Sequence, residues 1–289
     1  GKSTFALLFK QMSFVIGGFL VVLGCYSINL RHYTRIAPIA MIVSIALMLY
    51  VVFAGTILNS ASRWINIAGI SFQPSELAKI SVVMYIAYAL ERFDLSTFKS
   101  YALKVMLPLG ILCVLCIYGS VSATVIIVLT AFVMLVCAGI KWRFIWYTIG
   151  IAIGMLGLII LLHYTTPIKF PRIDTMWGRI ERFFGDDKEM TPEEIKEYKD
   201  KTYQSEQAIE AIQLGRFGGR GPGNSLKKDT LPHPYSDFIY AIIIEEFGLA
   251  GGLIVLFLYF WFFSRCITIA RMCSRIFTST MVLGFGFLI

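Results

Sequence analysis

Leu231–Gly252 reads LPHPYSDFIYAIIIEEFGLAGG. It closes a long polar stretch and, from Asp237 onward, enters an apolar run that still carries Glu245 and Glu246. A carboxylate at bilayer depth costs about 2.5–3.5 kcal/mol on insertion scales. A chain that keeps three acids here has a use for at least one of them. Working outward, the rest of the sequence reads as the cage that holds this stretch at a membrane surface.

Composition supports that frame. The chain has 289 residues, 57% of them hydrophobic and only 15% charged, against roughly 25% charged in soluble domains. Mean hydropathy is +0.73. The formal net charge of +8 suits loop orientation and contact with anionic lipid, so nucleic-acid binding is not inferred. Cys113 and Cys116 form a C-x-x-C inside an apolar run with no second ligand pair, and read as packing residues. His32, His163 and His233 are too scattered for a metal cluster. Gly1-Lys2-Ser3 reads as a truncated start.

Apolar segments at 12–30, 36–57, 76–91, 103–118, 121–140, 144–163, 237–264 and from 276 onward predict an all-α, polytopic transmembrane helix bundle, since about twenty helical residues cross the hydrocarbon. The whole chain, 1–289, is expected to form a single transmembrane domain. Basic residues follow the first, third, fifth and seventh segments: Arg31, His32 and Arg35; Arg92, Lys99 and Lys104; Lys141 and Arg143; Arg265, Arg271 and Arg275. The positive-inside rule puts these in the cytoplasm. A short amphipathic stretch at 60–75, the turn at Gly119-Ser120 and a large extracytoplasmic loop at 164–235 then face outward.

Within that loop, Thr191-Pro192-Glu193-Glu194 has the order of a helix start: an N-cap, proline at the first position, then acid at the positive end. The 204–214 stretch is the better candidate for packing on the bundle. GRFGGRGPGNS, 215–225, lets backbone approach either a ligand or another backbone closely. Arg216 and Arg220 favour the ligand, because guanidinium matches phosphate oxygens.

Two constellations could carry chemistry. Asp237 is either a plain N-cap, with Ser236 as its rival, or a base at the mouth of an outward-facing cavity, able to take a proton from a sugar hydroxyl. Glu245 and Glu246 read as structural. The second constellation is Arg63 with Gln73-Pro74-Ser75-Glu76 and Lys79. Ser75 can cap the following helix. Glu76 and Lys79, three residues apart, form either an intrahelical ion pair or a cation aimed at a diphosphate and oriented by its neighbour. An acid, several cations and a glycine loop at one outer surface suit a lipid-linked diphosphate sugar.

RWINIAGISFQPSELAK (63–79), GRGPGNS (219–225) and LPHPYSDFIYAIIIEEFG (231–248) resemble the SEDS family of peptidoglycan glycosyltransferases, the FtsW, RodA and SpoVE proteins. The resemblance spans essentially the whole chain, and the third motif is worded closest to FtsW. It implies a fold of ten transmembrane helices, of which about eight are present here, without the first and the last one or two. By resemblance, Asp237 is the family's essential aspartate, which activates the acceptor hydroxyl or organises a divalent cation, Mg or Mn. Asp229 falls where FtsW proteins often carry a second acid. Glu76 and Lys79 match a polar pair lining the central cavity, and Arg63 the motif arginine. Arg220 and Asn224 lie in the matching glycine motif as substrate contacts. The family's Pro-Asp-Leu-Gly-Thr-Ala-like turn is replaced here by Tyr118-Gly119-Ser120-Val121-Ser122-Ala123-Thr124.

The implied activity is polymerisation of lipid II, the undecaprenyl-diphosphate-linked disaccharide peptide, into glycan strands at the outer face of the bacterial cytoplasmic membrane, at the division septum. The implied partners are a class B penicillin-binding transpeptidase and other divisome proteins. Two rival functions are a lipid II flippase, for which Glu245, Glu246 and Lys79 would line a path, and a non-catalytic division scaffold, which needs no Asp237.

Overall fold

The computed structural model describes residues 4–54, 56–58, 61–67, 70–165, 203, 206–227 and 238–289. It falls into two compact units, Gly1–Ile173 with Cys266–Ile289, and Asp174–Arg265.

The first unit is the helical bundle. Helices α1 (Thr4–Ser27) and α2 (Leu30–Ala54) are followed by strands β1 (Thr56–Leu58), β2 (Ala61–Ile67) and β3 (Ile70–Phe72). Then come α3 (Pro74–Arg92), α4 (Phe98–Tyr101), a π-helical turn at Ala102–Met106, α5 (Leu107–Gly119), α6 (Val121–Cys137) and α7 (Trp142–Thr165). In the second unit lie α8, residues 206–215, and most of α9 (Ile239–Met272), whose last residues belong to the first unit. Helix α10 (Ile276–Leu288) closes the first unit. Among the described residues, Leu30–Val52, Phe98–Ile117 and Ile239–Met272 are each long and apolar enough to cross a membrane, and Gln11–Ser27, Val121–Cys137 and Ile276–Leu288 are shorter apolar helices.

Each expected apolar segment is therefore a helix, with three amendments. First, Arg31, His32 and Arg35 are not in a loop. Asn29 ends the break after α1, accepting from Arg31 N at 3.2 Å through its side chain and from His32 N at 2.9 Å through its carbonyl. Capping of this kind starts a helix, so the basic residues fill the first turns of α2. Second, the connection at 56–72 is an antiparallel ribbon in the order β1-β2-β3, with Thr56 opposite Trp64 and Ile65 opposite Phe72. Its β-branched and aromatic residues favour extended chain. Third, Ser75 is not the cap of α3. Gln73 holds that position and Pro74 the first helical one, where its missing N–H is no loss. Gln73 Nε2 donates to Ser75 Oγ at 2.9 Å.

Helix α3 is the centre of the first unit, packing on α2, α5, α6 and α10. Its Ala78, Val82, Val83 and Ile86 meet Met41 and Met48 of α2, Ile127 and Met134 of α6, and Phe277 of α10 in one core. Lipid tails are as apolar as these side chains, so close packing and polar contacts hold such helices together. Both are present. A Cβ on Gly284 of α10 would stand 2.6 Å from Met134 Sδ and 2.7 Å from Val83 Cγ1, and Ser44 Oγ of α2 donates to Ser81 Oγ of α3 at 2.7 Å.

The π-helical turn has an identifiable cause. Pro108 has no N–H to give the carbonyl four residues back, that of Lys104. Tyr85 of α3 supplies the missing donor, its hydroxyl lying 2.8 Å from Lys104 O. A helix break inside a bundle persists where a neighbour re-satisfies the backbone in this way. The turn at Gly119-Ser120 separates α5 from α6 as expected, with Ser120 Oγ accepting from Ala123 N at 3.3 Å.

Candidate functional site

In the first unit, Glu76 and Lys79 come together at the start of α3, with Lys79 Nζ 2.7 Å from Glu76 Oε2. The pairing is intrahelical, and it also fixes where the ammonium points. Glu76 is half-exposed, whereas the Lys79 side chain is only 21% exposed. The acid lies in the first turn, where the helix dipole favours it. Arg63 lies mid-strand in β2, two strands upstream of α3 in the same ribbon.

In the second unit, the glycine-rich loop resolves the choice between ligand and backbone in favour of backbone at several positions. Helix α9 breaks at Gly248, with φ 71° and ψ −176°. The break diverts Leu249 N from its helical acceptor, Glu245 O, to Arg216 O at 2.8 Å. The carbonyls of Glu245 and Glu246 accept instead from Arg220 N and Gly221 N, each at 2.9 Å. Buried backbone groups must find partners, and the loop provides them. The approach requires glycine, because a Cβ on Gly215 would lie 2.6 Å from Ile244 C and 2.9 Å from Glu245 Cα.

Glu245 is fully buried, at 0% exposure. Its carboxyl accepts from Ser225 Oγ at 2.5 Å and Leu226 N at 2.8 Å. It is thus a clamp on the loop, in keeping with the structural role expected of it. The sequence did not reveal its partner, twenty residues upstream. Lys227 adds a second tie, to Glu210 Oε2 at 2.6 Å and Gln207 Oε1 at 2.8 Å of α8.

What this frame leaves outward is a cleft of about 550 Å³ lined by Arg220, Gly223, Asn224, Ser225 and Leu226. Arg220 and Asn224 are both exposed, and Asn224 Nδ2 donates to Arg220 O at 3.2 Å. The Asn224 amide therefore shapes the turn, while Arg220, its N–H tied to Glu245 O, exposes its side chain. Asp229 and Asp237 lie outside the described residues, as does the helix start at Thr191. Among the described residues no three His, Cys, Asp or Glu side chains gather to hold a metal ion.

The whole chain, residues 1–289, matches the family model described as cell cycle protein, FtsW/RodA/SpoVE. The chain belongs to this family. It is 32% identical to the probable peptidoglycan glycosyltransferase FtsW of Enterococcus hirae, over 96% of this chain and 67% of that protein. It is 29% identical to the protein of the same name from Escherichia coli O6:H1, over 91% of this chain and 60% of that one. A chain in a solved structure of a peptidoglycan synthase complex, which coordinates polymerisation and crosslinking, has the same fold. The TM-score is 0.65, covering 98% of this chain and 75% of the other at 20% identity. With its apolar helices, this FtsW/RodA/SpoVE member is a multi-pass membrane protein.

Proposed function

We propose that this FtsW/RodA/SpoVE member is a peptidoglycan glycosyltransferase that polymerises lipid II at the outer face of the bacterial cytoplasmic membrane during division. The observation that carries the reading is the match of the entire chain to one family, with relatives at about 30% identity that bear this name. In the proposed reaction, an acceptor sugar hydroxyl attacks the anomeric carbon of the donor. The bond from that carbon to the diphosphate breaks, the lipid diphosphate leaves, and Asp237 takes the hydroxyl proton. The resemblance offers Lys79, oriented by Glu76, and Arg63 in the first unit, and Arg220 in the second, as candidate contacts for the leaving diphosphate. Asp229 supports Asp237 in the same stretch. A divalent cation, Mg or Mn, would supply further neutralisation of the diphosphate.

A class B penicillin-binding transpeptidase is the proposed partner, crosslinking the strands as they form, and the division septum the proposed site, shared with other divisome proteins. The flippase alternative loses support, because the buried carboxyl of Glu245 is occupied with Ser225 and Leu226. The scaffold alternative gives no role to Asp237.

The test is glycan polymerisation from lipid II by the full-length protein with its transpeptidase, wild type against Asp237→Ala at equal amounts of folded protein. The expected result is polymer from wild type alone. Wild-type polymer from the variant would remove the base. Loss of transbilayer lipid II movement with polymerisation intact would transfer the reading to the flippase.

A further inference from the structure

A second polar cavity lies in the first unit, at the opposite end of α3 from Glu76 and Lys79. It has a volume of about 630 Å³ and is lined by Arg31 and Arg35 of α2, Arg92 of α3 and Arg275 before α10, with Glu91 and Tyr88 of α3 among the other lining residues. Four guanidinium groups thus converge from three separate segments around a single carboxylate. That carboxylate is already engaged: Glu91 pairs with Arg275 through Oε1 and accepts from Phe277 N at 2.8 Å through Oε2.

Arg31 and Arg35 share the cavity with one carboxylate, Glu91, whose ion pair is with Arg275. They stand one turn apart on the same face of α2, where like charges repel. They occupy the positive end of that helix, and its first turn contains no acid. Among the described residues neither has a carboxylate partner. Arg92 differs only in sitting at a helix C-terminus, where a cation is favoured. An anion in the cavity would relieve all three, and planar guanidinium forks match phosphate oxygens.

We propose that this cavity binds a phosphate-bearing anion, and that its source is the headgroup of an anionic phospholipid. The apolar span Leu30–Val52 carries both arginines in its first two turns. On the face that carries Arg31 and Arg35, Ile39 and Ile42 follow within two further turns and are 59% and 68% exposed. A headgroup in the cavity would leave an acyl chain lying along that exposed ridge. The basic end of the bundle is the one that the positive-inside rule assigns to the cytoplasmic leaflet, where anionic lipid attracts juxtamembrane arginines.

The test is lipid retention by the full chain purified from mixed phosphatidylglycerol and phosphatidylcholine micelles, read by native mass spectrometry. Phosphatidylglycerol should be retained by wild type and by Arg31→Lys/Arg35→Lys in part. Retention should fall about tenfold or more in Arg31→Gln/Arg35→Gln. It should survive in Lys99→Gln/Arg143→Gln, which removes the same charge outside the cavity. If Arg31→Gln/Arg35→Gln fails to fold, Arg92→Gln gives the same reading with a smaller loss. Equal retention in the cavity variants and wild type would overturn the site. Equal loss in the Lys99/Arg143 variant would reduce it to diffuse attraction. Displacement of the lipid by millimolar glycerol phosphate would assign the cavity to a soluble phosphate and overturn the lipid source.

Discussion

Gly219 and Gly248 each occupy the space that a side chain on the other would need. A Cβ on Gly219 would stand 2.5 Å from Gly248 N, and one on Gly248 would stand 2.6 Å from Gly219 N. Both residues are left-handed, at φ 71°. Backbone cannot yield as a flexible side chain can, so Gly219→Ala and Gly248→Ala should each cost on the order of 3 kcal/mol or more. Gly223→Ala is the control. Gly223 is also left-handed, at φ 79°, but nothing lies within 4 Å of the added Cβ, so it should lose only about 1 kcal/mol. Chemical denaturation in detergent measures all three. Equal losses would mean that backbone strain alone, and not the close approach, demands glycine here.

The Glu245 clamp makes a graded prediction. Removing the carboxyl in Glu245→Ala takes away the acceptor that Ser225 Oγ and Leu226 N share, at about 1–3 kcal/mol in all. Glu245→Gln keeps one carbonyl oxygen at the same reach and should cost about half as much. The readout is protease cutting within 215–227 at fixed temperature, ordered Ala, then Gln, then wild type. A glutamine variant cut as fast as the alanine variant would show that neither hydrogen bond holds the loop.

Much of this architecture was legible in the sequence, for a physical reason. A membrane span must be long, apolar and internally hydrogen-bonded, and that requirement writes itself locally as hydropathy. The eighth expected segment began at 276, and α10 begins at Ile276. Features that depend on a distant partner were not legible. Nothing near Glu245 announces Ser225, and nothing near Pro108 announces that Tyr85 will serve the carbonyl it strands. The ribbon at 56–72 was missed because its alternation is short and its neighbours are helical. The helix start at Asn29 was not read, because the basic residues after the first segment served only to orient the chain. Glu76 and Lys79 were legible as a pair, since helical spacing alone places them together.

That pair permits a separation of stability from function. An ion pair whose acid is 55% exposed contributes about 0.5 kcal/mol or less to folding. Glu76→Ala and Lys79→Ala should therefore melt within a few degrees of wild type, yet lower lipid II polymerisation well below that of Cys113→Ala. Lys79→Ala should be the more severe, because it removes the cation itself and not merely its orientation. Polymerisation matching Cys113→Ala in both variants would confine the pair to helix structure.

Glu91 carries the last prediction. Helix α10 begins without a side-chain cap of its own, since Arg275 at that position supplies none. Its second N–H, that of Phe277, reaches Glu91 of α3 instead. The cap is therefore tertiary, and it fixes the end of α10 against α3 while Phe277 is fully buried beside it. Glu91→Ala should cost about 1.5–3 kcal/mol, as expected for a hydrogen bond to a charged group. Most of that cost should survive high salt, because the backbone hydrogen bond is short-ranged whereas the partly exposed pairing with Arg275 is screened. Arg275→Gln should cost under about 1 kcal/mol, and salt should erase the difference from wild type. Unfolding of both variants at low and at high ionic strength separates the two contributions. If Arg275→Gln proves the more damaging, the ion pair and not the cap anchors α10.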